Sequence, residues 1–564
     1  MRIATTILIA ACAAPAWAQD VTGSLHNLSA SGPGSVKSAT ETEVCVFCHT
    51  PHNATPRAPL WNRRDPGGAY TPYTSTTVLV APGQPTGASR QCLSCHDGTI
   101  ALGEVTSRST EIAMSSRLMP AGRSRLGTDI SDDHPVSIDY QACLGNPRAE
   151  LRANPSVAGR TALDPQGLVQ CTSCHDPHDD RNGSFLRVAP VNGALCTSCH
   201  APAGWTGSTH ATSVKTWNGT GTDPWPRSPF TTVAANACES CHSPHAAPGR
   251  SRLLSSALEE QVCLVCHSGT VAARNLAPEF SKLSRHSVAA TSGVHDPLET
   301  PGGTKSHAEC ADCHDQHRTT GTAGGGNGTN TPLPGSLAGV SGLTISGSVT
   351  TSVSFEYELC FKCHSDGLST YTKRIPRVAT QPDIRLKFTS NNPSFHPVAA
   401  AGTNPDVPSL LTTWTTASRT KCSDCHSNNS GPGAGGTGPR GPHGSIWEPI
   451  LERRYDTGDP VTESSAAYAL CYKCHSRTSI LGNTSFREHN KHIVGENTSC
   501  SVCHDPHGIA ASQQGAGANR HLINFDTRVV RPNSSGRLEF IDQGRFRGTC
   551  YLTCHGENHN PESY

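Results

Sequence analysis

Two cysteines, two spacer residues and a histidine recur along this chain of 564 residues, and no other feature limits its fold so severely. Eleven copies of C-x-x-C-H begin at Cys45, Cys92, Cys171, Cys196, Cys238, Cys263, Cys310, Cys360, Cys422, Cys471 and Cys500. A twelfth, C-Y-L-T-C-H, runs from Cys550 to His555 with one extra spacer. Exported cysteine pairs also form disulfides, and C-x-x-C also holds zinc. Neither use requires a histidine directly after the second cysteine. Histidine is 29 of 564 residues, so its presence after all twelve pairs is not an accident of composition.

The pattern is that of covalent haem c attachment, in which two thioethers hold the macrocycle and the adjacent histidine ligates its iron. It predicts twelve haems. The second cysteines are Cys48, Cys95, Cys174, Cys199, Cys241, Cys266, Cys313, Cys363, Cys425, Cys474, Cys503 and Cys554. The proximal histidines are His49, His96, His175, His200, His242, His267, His314, His364, His426, His475, His504 and His555.

Composition agrees. Hydrophobic residues without glycine are 35% and aromatics 5%, with 53 Gly and 41 Pro, against roughly 45–50% apolar in an average soluble domain when glycine is counted in. A disordered chain would need high net charge or polar repeats, whereas the formal charge here is zero. Macrocycles, not side chains, are expected to fill the interior. The fold class that follows is mostly irregular loop with short α-helices and a minor β element, packed around haem in an extended arrangement of two-haem modules. Haem propionates would make the surface modestly acidic, with no affinity for nucleic acid.

The N-terminus MRIATTILIAACAAPAWAQD has Arg2, an apolar run, and Ala16 and Ala18 before Gln19. It reads as a secretory signal over 1–18. Ile9 to Cys12 also reads as a lipoprotein box, the one route to a membrane anchor. No later segment has the ~18 apolar residues of a membrane span. The expected location is periplasmic, outer-membrane-associated or extracellular.

Subtracting the proximal ligands leaves 17 histidines. His52, His178, His245, His317 and His507 lie three residues after a proximal histidine, and His443 in G-P-H-G-S occupies that place after a Gly-rich insertion. All six belong to odd-numbered sites. Upstream of the same sites, His134, His286, His396 and His492 share H-x-V, and His26 and His210 take corresponding positions more loosely. Even sites follow odd ones at spacings of 25, 47, 49 or 50. The chain thus divides into six two-haem modules: 19–125, 126–204, 205–275, 276–380, 381–482 and 483–564. Each holds four histidines of this pattern, enough for two bis-histidine irons. Because i and i+3 share one side of a helical turn, His178 cannot reach round the ring held at His175. It is expected to cap the even partner at Cys196.

Five histidines remain as substitutes: His295, His307, His489, His521 and His559. Met114 and Met119, the methionines outside the signal, supply two at most of the sixth ligands. The stretch 321–336 reads as a Gly-rich linker, and LTISGSVTTSVSFEYEL after it as a hairpin or two strands. Cys143 reads as a buried thiol or, second, an intermolecular disulfide.

The motifs CVFCHTPHNA, PLWNR, QPTGASRQCLSCHDGTIALG, SDDHPVS, HLINFDTRVV and CYLTCHGENHNP, with the paired C-x-x-C-H units, resemble the doubled-CXXCH multihaem c-type cytochromes of metal-reducing bacteria. The resemblance implies periplasmic or extracellular electron transfer through stacked bis-histidine haems, with no catalysis. The implied partners are other cytochromes, metal oxides, or further copies in a filament. The insertion between His426 and His443 departs from the tight motif. An oxyanion reductase would need one open haem, and some such families replace the haem histidine by lysine. Every site here has histidine, and the last, with its odd spacing, is where a vacancy would be sought.

Overall fold

The computed structural model describes residues 20–564 except 56–57, 59, 79, 147–148, 289–295, 298, 300–307, 325–332, 366–374 and 511–518. The signal segment, Cys12, His295, His307 and half of the Gly-rich linker lie outside the described residues.

Regular structure concentrates at the cysteine pairs. Eleven of the twelve sit on single helical turns or short helices, among them Gly87–His96, Cys171–Cys174, Glu259–His267, Cys310–Cys313, Glu356–His364 and Cys500–Cys503, with tighter turns at Cys45–Phe47, Ala237–Ser240, Cys422–Asp424 and Cys471–Lys473. The local reason is legible in the spacer residues. In C-x-D-C and C-x-S-C the second spacer turns back on the turn's own start. Asp312 accepts the Glu309 amide at 2.8 Å, Asp424 the Lys421 amide at 2.8 Å, and Ser173 the Gln170 amide at 3.0 Å. A side chain that satisfies an orphan amide holds so short a turn together. Glu358 does the same for Glu356–His364, accepting from Ser354 and Phe355 at 2.7 and 3.1 Å.

Sheets are small. The expected hairpin is present as Gly342–Leu343 paired antiparallel with Val349–Thr350, but the FEYEL end of that stretch belongs to the helix Glu356–His364. Not anticipated was an antiparallel three-stranded sheet of Glu539–Asp542, Gly548–Cys554 and Glu557–Ser563, with the middle strand carrying Cys550 and Cys554. The expectation of a helical turn around every pair therefore fails at the twelfth. Its extra spacer leaves no i, i+3 relation between the cysteines.

Buried apolar side chains form separate small clusters instead of one core. Leu343, Tyr357, Phe361, Phe388 and Val398 make one, and Val502, Phe525, Val530 and Leu552 another under the C-terminal sheet. Polar residues are buried between the clusters as well. Arg63 is fully buried and donates to the carbonyls of Ser94, Ala101 and Leu102.

The chain forms two compact units: Met1–Pro202 with Ala235–Ala257, and Ala203–Ala234 with Leu258–Tyr564. Among the described residues no helix is long and apolar enough to cross a membrane.

Candidate haem-ligating site

Each helical turn aims its histidine the same way. The amide of the residue after the second cysteine donates to the carbonyl of the first: His49 to Cys45 at 2.8 Å, His175 to Cys171 at 3.0 Å, His314 to Cys310 at 3.0 Å, His426 to Cys422 at 2.8 Å and His504 to Cys500 at 3.0 Å. One turn thereby presents two sulfurs and an imidazole on one side.

Opposite nine of these imidazoles stands a second. At odd sites His49 faces His178 with ring centres 6.0 Å apart, His175 faces His245 at 6.1 Å, His314 faces His443 at 6.2 Å, His426 faces His507 at 6.0 Å, and His504 faces His489 at 6.5 Å. At even sites His96 faces His26, His200 faces His134, His267 faces His210 and His364 faces His286, each at 6.2 Å. A metal–imidazole bond of about 2.0 Å, plus about 1.1 Å from nitrogen to ring centre on each side, gives about 6.2 Å across a bis-imidazole metal. The residues present therefore fit an iron with two axial histidines.

The other ring nitrogen is fixed as well. Nδ1 bonds a carbonyl oxygen at His96 (Ser124, 2.6 Å), His175 (Ser184, 2.9 Å), His242 (Arg252, 2.9 Å), His314 (Ser336, 2.8 Å), His426 (Pro449, 2.9 Å) and His504 (His521, 2.9 Å). A carbonyl only accepts, so Nδ1 carries the proton and Nε2 keeps its lone pair for a metal. Burial pushes the imidazoles of His267, His443, His475 and His504 down to about 4, and those of His489 and His507 to about 3. Neutral rings are the ligating form.

The pairing corrects one expectation. His178 does not sit with the even site at Cys196; it faces His49, and His134 is the ring opposite His200. In four junctions the motif histidine of one module faces the odd site of the module before it. At five junctions the upstream histidine of the earlier module is bonded beside the motif histidine of the next. Nδ1 of His26 donates to the Pro177 carbonyl at 3.3 Å, of His210 to Gln316 at 3.2 Å, of His286 to Pro442 at 2.8 Å, and of His396 to Pro506. The His134 amide donates to Pro244 at 2.8 Å. The carbonyl used is always that of the residue just before the motif histidine. Two rings thus arrive as one clasp over the two sites of a module.

A family model described as outer membrane cytochrome MtrC/MtrF-like, domains II/IV, matches residues 230–392. A second, for the doubled CXXCH motif, matches 166–204. No curated protein matches the chain. Both matches support a multihaem c-type cytochrome family. Its doubled C-x-x-C-H units are attachment sites for covalent haem c.

Within each unit, consecutive sites lie near one another through their cysteines in two alternating ways. Inside a module the second cysteines are neighbours: Cys48 with Cys95, Cys174 with Cys199, Cys313 with Cys363, Cys425 with Cys474, and Cys503 with Cys554. Between modules the first cysteines meet: Cys92 with Cys171, Cys196 with Cys238, Cys360 with Cys422, and Cys471 with Cys500. The helix Glu259–His267 likewise packs on the turn Cys310–Cys313. Burial pushes the Cys48, Cys313, Cys425 and Cys500 thiols up to about 12, so these sulfurs sit in surroundings suited to uncharged thioethers.

Modules four and five add a buried cation. Lys362, in the C-F-K-C-H spacer, is 3% exposed, and its ammonium lies 3.2 Å from the Asp312 carbonyl and 3.5 Å from the Asp312 carboxylate. Lys473, in C-Y-K-C-H, donates to the Asp424 carbonyl at 2.7 Å and pairs with Glu452 at 2.6 Å. Each lysine ties the even turn to the odd turn of its own module.

The remaining candidates are placed differently. His443 reaches its position despite the insertion, which loops out over residues 427–442. His317 lies edge-on to Trp205 at 6.0 Å. His475 bonds Ser409 Oγ through Nδ1 at 3.0 Å, and His396 is among the nearby charges that hold its imidazole down. His52 is exposed, and no histidine ring faces it among the described residues. His489, left in reserve by sequence reasoning, takes the place opposite His504. The missed signal is H-N-K-H, an i, i+3 pair like those of the motifs. His492, three residues on, stacks on Phe486 at 6.0 Å and bonds Glu488. At the twelfth site His555 bonds Asp459 through Nε2 at 2.6 Å. Cys550 and Cys554 share a face of an extended strand, which separates them by roughly 12–13 Å, against ~5–6 Å for i, i+3 on a helical turn. His521 lies 3.4 Å from Asp542, and His559 is half-buried. Cys143 is half-buried as well, not fully buried as expected.

Proposed function

We propose that the protein is an exported electron carrier in which six two-haem modules hold twelve bis-histidine haems. It passes electrons at the outer surface of the cell to other cytochromes or to metal oxides. The nine opposed histidine pairs at 6.0–6.5 Å carry this reading, because a site with both axial positions filled suits electron transfer and leaves no iron for a substrate. When bound, the haems supply the one-electron chemistry. The chain's own residues set ligation, order and electrostatics. Motif histidines serve the odd site of the preceding module, upstream histidines serve the even site of their own, and His489 and His492 serve the last module. The alternating cysteine contacts support haems that follow sequence order within each unit. The likeness to outer membrane cytochromes supports the location and the partners.

The test is the intact mass of the purified holoprotein together with its reduced visible spectrum before and after carbon monoxide. Twelve haems and an unchanged spectrum are expected. A second reading, reduction of a small oxyanion at one open haem, is favoured by the engagement of His555 with Asp459 and of His492 with Phe486. It predicts a carbon monoxide shift of one haem in twelve.

A further inference from the structure

We propose that Arg63 is a positioning residue whose buried charge raises the potential of the two haems of the first module, so that electrons collect there within the first unit. The proposal rests on reading the C-x-x-C-H turns and opposed histidines as haem sites. Arg63 lies at the seam between sites one and two. The Asn62 amide donates to the Cys48 carbonyl at 2.9 Å, which fixes the chain beside the first turn. The Arg63 guanidinium then reaches the second, donating to the Ser94 carbonyl at 2.9 Å and to Ser94 Oγ at 3.2 Å. The carbonyls of Ala101 and Leu102 accept further bonds at 2.9 and 2.8 Å. Ser94 directly precedes Cys95, and the Arg63 charge acts on the sulfurs of both Cys48 and Cys95.

All of these acceptors are neutral. A buried guanidinium ordinarily has a carboxylate beside it, yet the carboxylates near Arg63 in sequence and space are engaged elsewhere. Asp65 bonds Arg90 at 2.6 Å, Glu104 pairs with Arg64 at 2.6 Å, and Asp97 accepts from Tyr70 Oη at 2.7 Å and from the Thr99 amide at 2.8 Å. The other fully buried cation among the described residues, Lys362, has Asp312 for a partner. Arg63 is 0% exposed, enclosed by protein atoms alone, so a haem propionate cannot reach it as a counter-ion. A guanidinium keeps its proton in a protein, and the charge is therefore permanent. Ferric iron carries one more positive charge than ferrous iron, and a fixed cation in a low-dielectric interior disfavours it. Each first-module haem takes one electron from a neighbouring ferrous haem, which is oxidised as it is reduced. The remaining sites of the first unit have no buried cation among the described residues, so the first module is reduced before them.

Spectroelectrochemical titration of the holoprotein tests this. Arg63→Gln should lower a component of up to two haems that lies in the upper half of the wild-type titration. The expected change in its ferric-to-ferrous ratio is about tenfold, which is about 59 mV for one electron. Arg63→Lys keeps the charge and should leave that component in place. Ser94→Asp keeps the arginine and sets a carboxylate beside it, at the spacer position that Asp312 and Asp424 occupy in other turns. It should lower the same component, and it decides the matter if Arg63→Gln yields no holoprotein. A component that stays in place in Ser94→Asp overturns the proposal. So does equal lowering by Arg63→Lys, which would make packing the cause, and so does a shift confined to the lowest-lying component. Carbon monoxide binding gained in Arg63→Gln would make the residue a brace for an axial histidine and contradict the proposal as well. Peptide masses without haem on Cys45–Cys48 or Cys92–Cys95 would instead sink the reading on which it rests.

Discussion

The last module and the modules before it solve one problem in two ways. Through residue 482, the imidazole opposite a proximal histidine comes from elsewhere in the sequence at eight of the ten sites: opposite His49 it is His178, 129 residues on, and opposite His96 it is His26. These pairings are non-local, and at four junctions they tie two modules together. In 483–564 the chain turns on itself. His489 lies 15 residues from His504, and a three-stranded sheet replaces the helical turn at the twelfth pair. Where a following module is present it delivers the ring opposite the odd site and the carbonyl that bonds the upstream histidine; in the last module a local H-N-K-H pair and backbone pairing stand in. Loop-closure entropy penalises the long-range arrangement only slowly with length, and covalent haem attachment can offset it.

The largest effects come from removing rings. His178→Ala should open one haem to carbon monoxide in the reduced holoprotein, and His489→Ala should do the same in the last module. If His178→Ala leaves the spectrum unaltered, ligation across the junction is wrong. Next come the clusters. Phe361→Ala, in the Leu343–Tyr357–Phe388–Val398 cluster, should cost roughly 3–5 kcal/mol. Val530→Ala under the C-terminal sheet should cost about 2 kcal/mol. Thermal unfolding of each holoprotein checks both, and a reversed order would mean that the sheet, not the helical turns, anchors the fold. Smaller and more local is Lys362→Met. It strands the buried Asp312 carboxylate, which favours the ferric state of the haems nearby. One component of a spectroelectrochemical titration should move to lower potential, while an exposed-lysine control such as Lys215→Met should leave every component in place.

Much of this was legible in the sequence, and the failures have physical causes. Cysteine and proximal histidine positions are read from covalent spacing alone, and the spacer acids and serines explain the turns. Pairing was not legible. The sharing of one side by His175 and His178 says only that they cannot serve one iron, and whether His178 turns to Cys196 or back to His49 depends on the path of the chain between modules. The role of His489 was hidden because His492 matched the H-x-V pattern. The C-terminal sheet was missed because G-T-C-Y-L-T-C was read for its cysteines, although Thr549, Tyr551 and Thr553 at alternating positions suit a strand.

The alternation of sites has a spectroscopic signature. At odd sites the facing imidazole planes meet at 17° to 48°. At even sites they meet at 64° to 77°. Near-parallel rings act on one iron d orbital and split it from its partner, whereas crossed rings leave the two nearly equal in energy. The electron paramagnetic resonance spectrum of the fully oxidised holoprotein tests the account most directly. It should show two low-spin ferric populations in similar amounts, one rhombic and one strongly anisotropic. A single population, or a substantial high-spin signal, would contradict it.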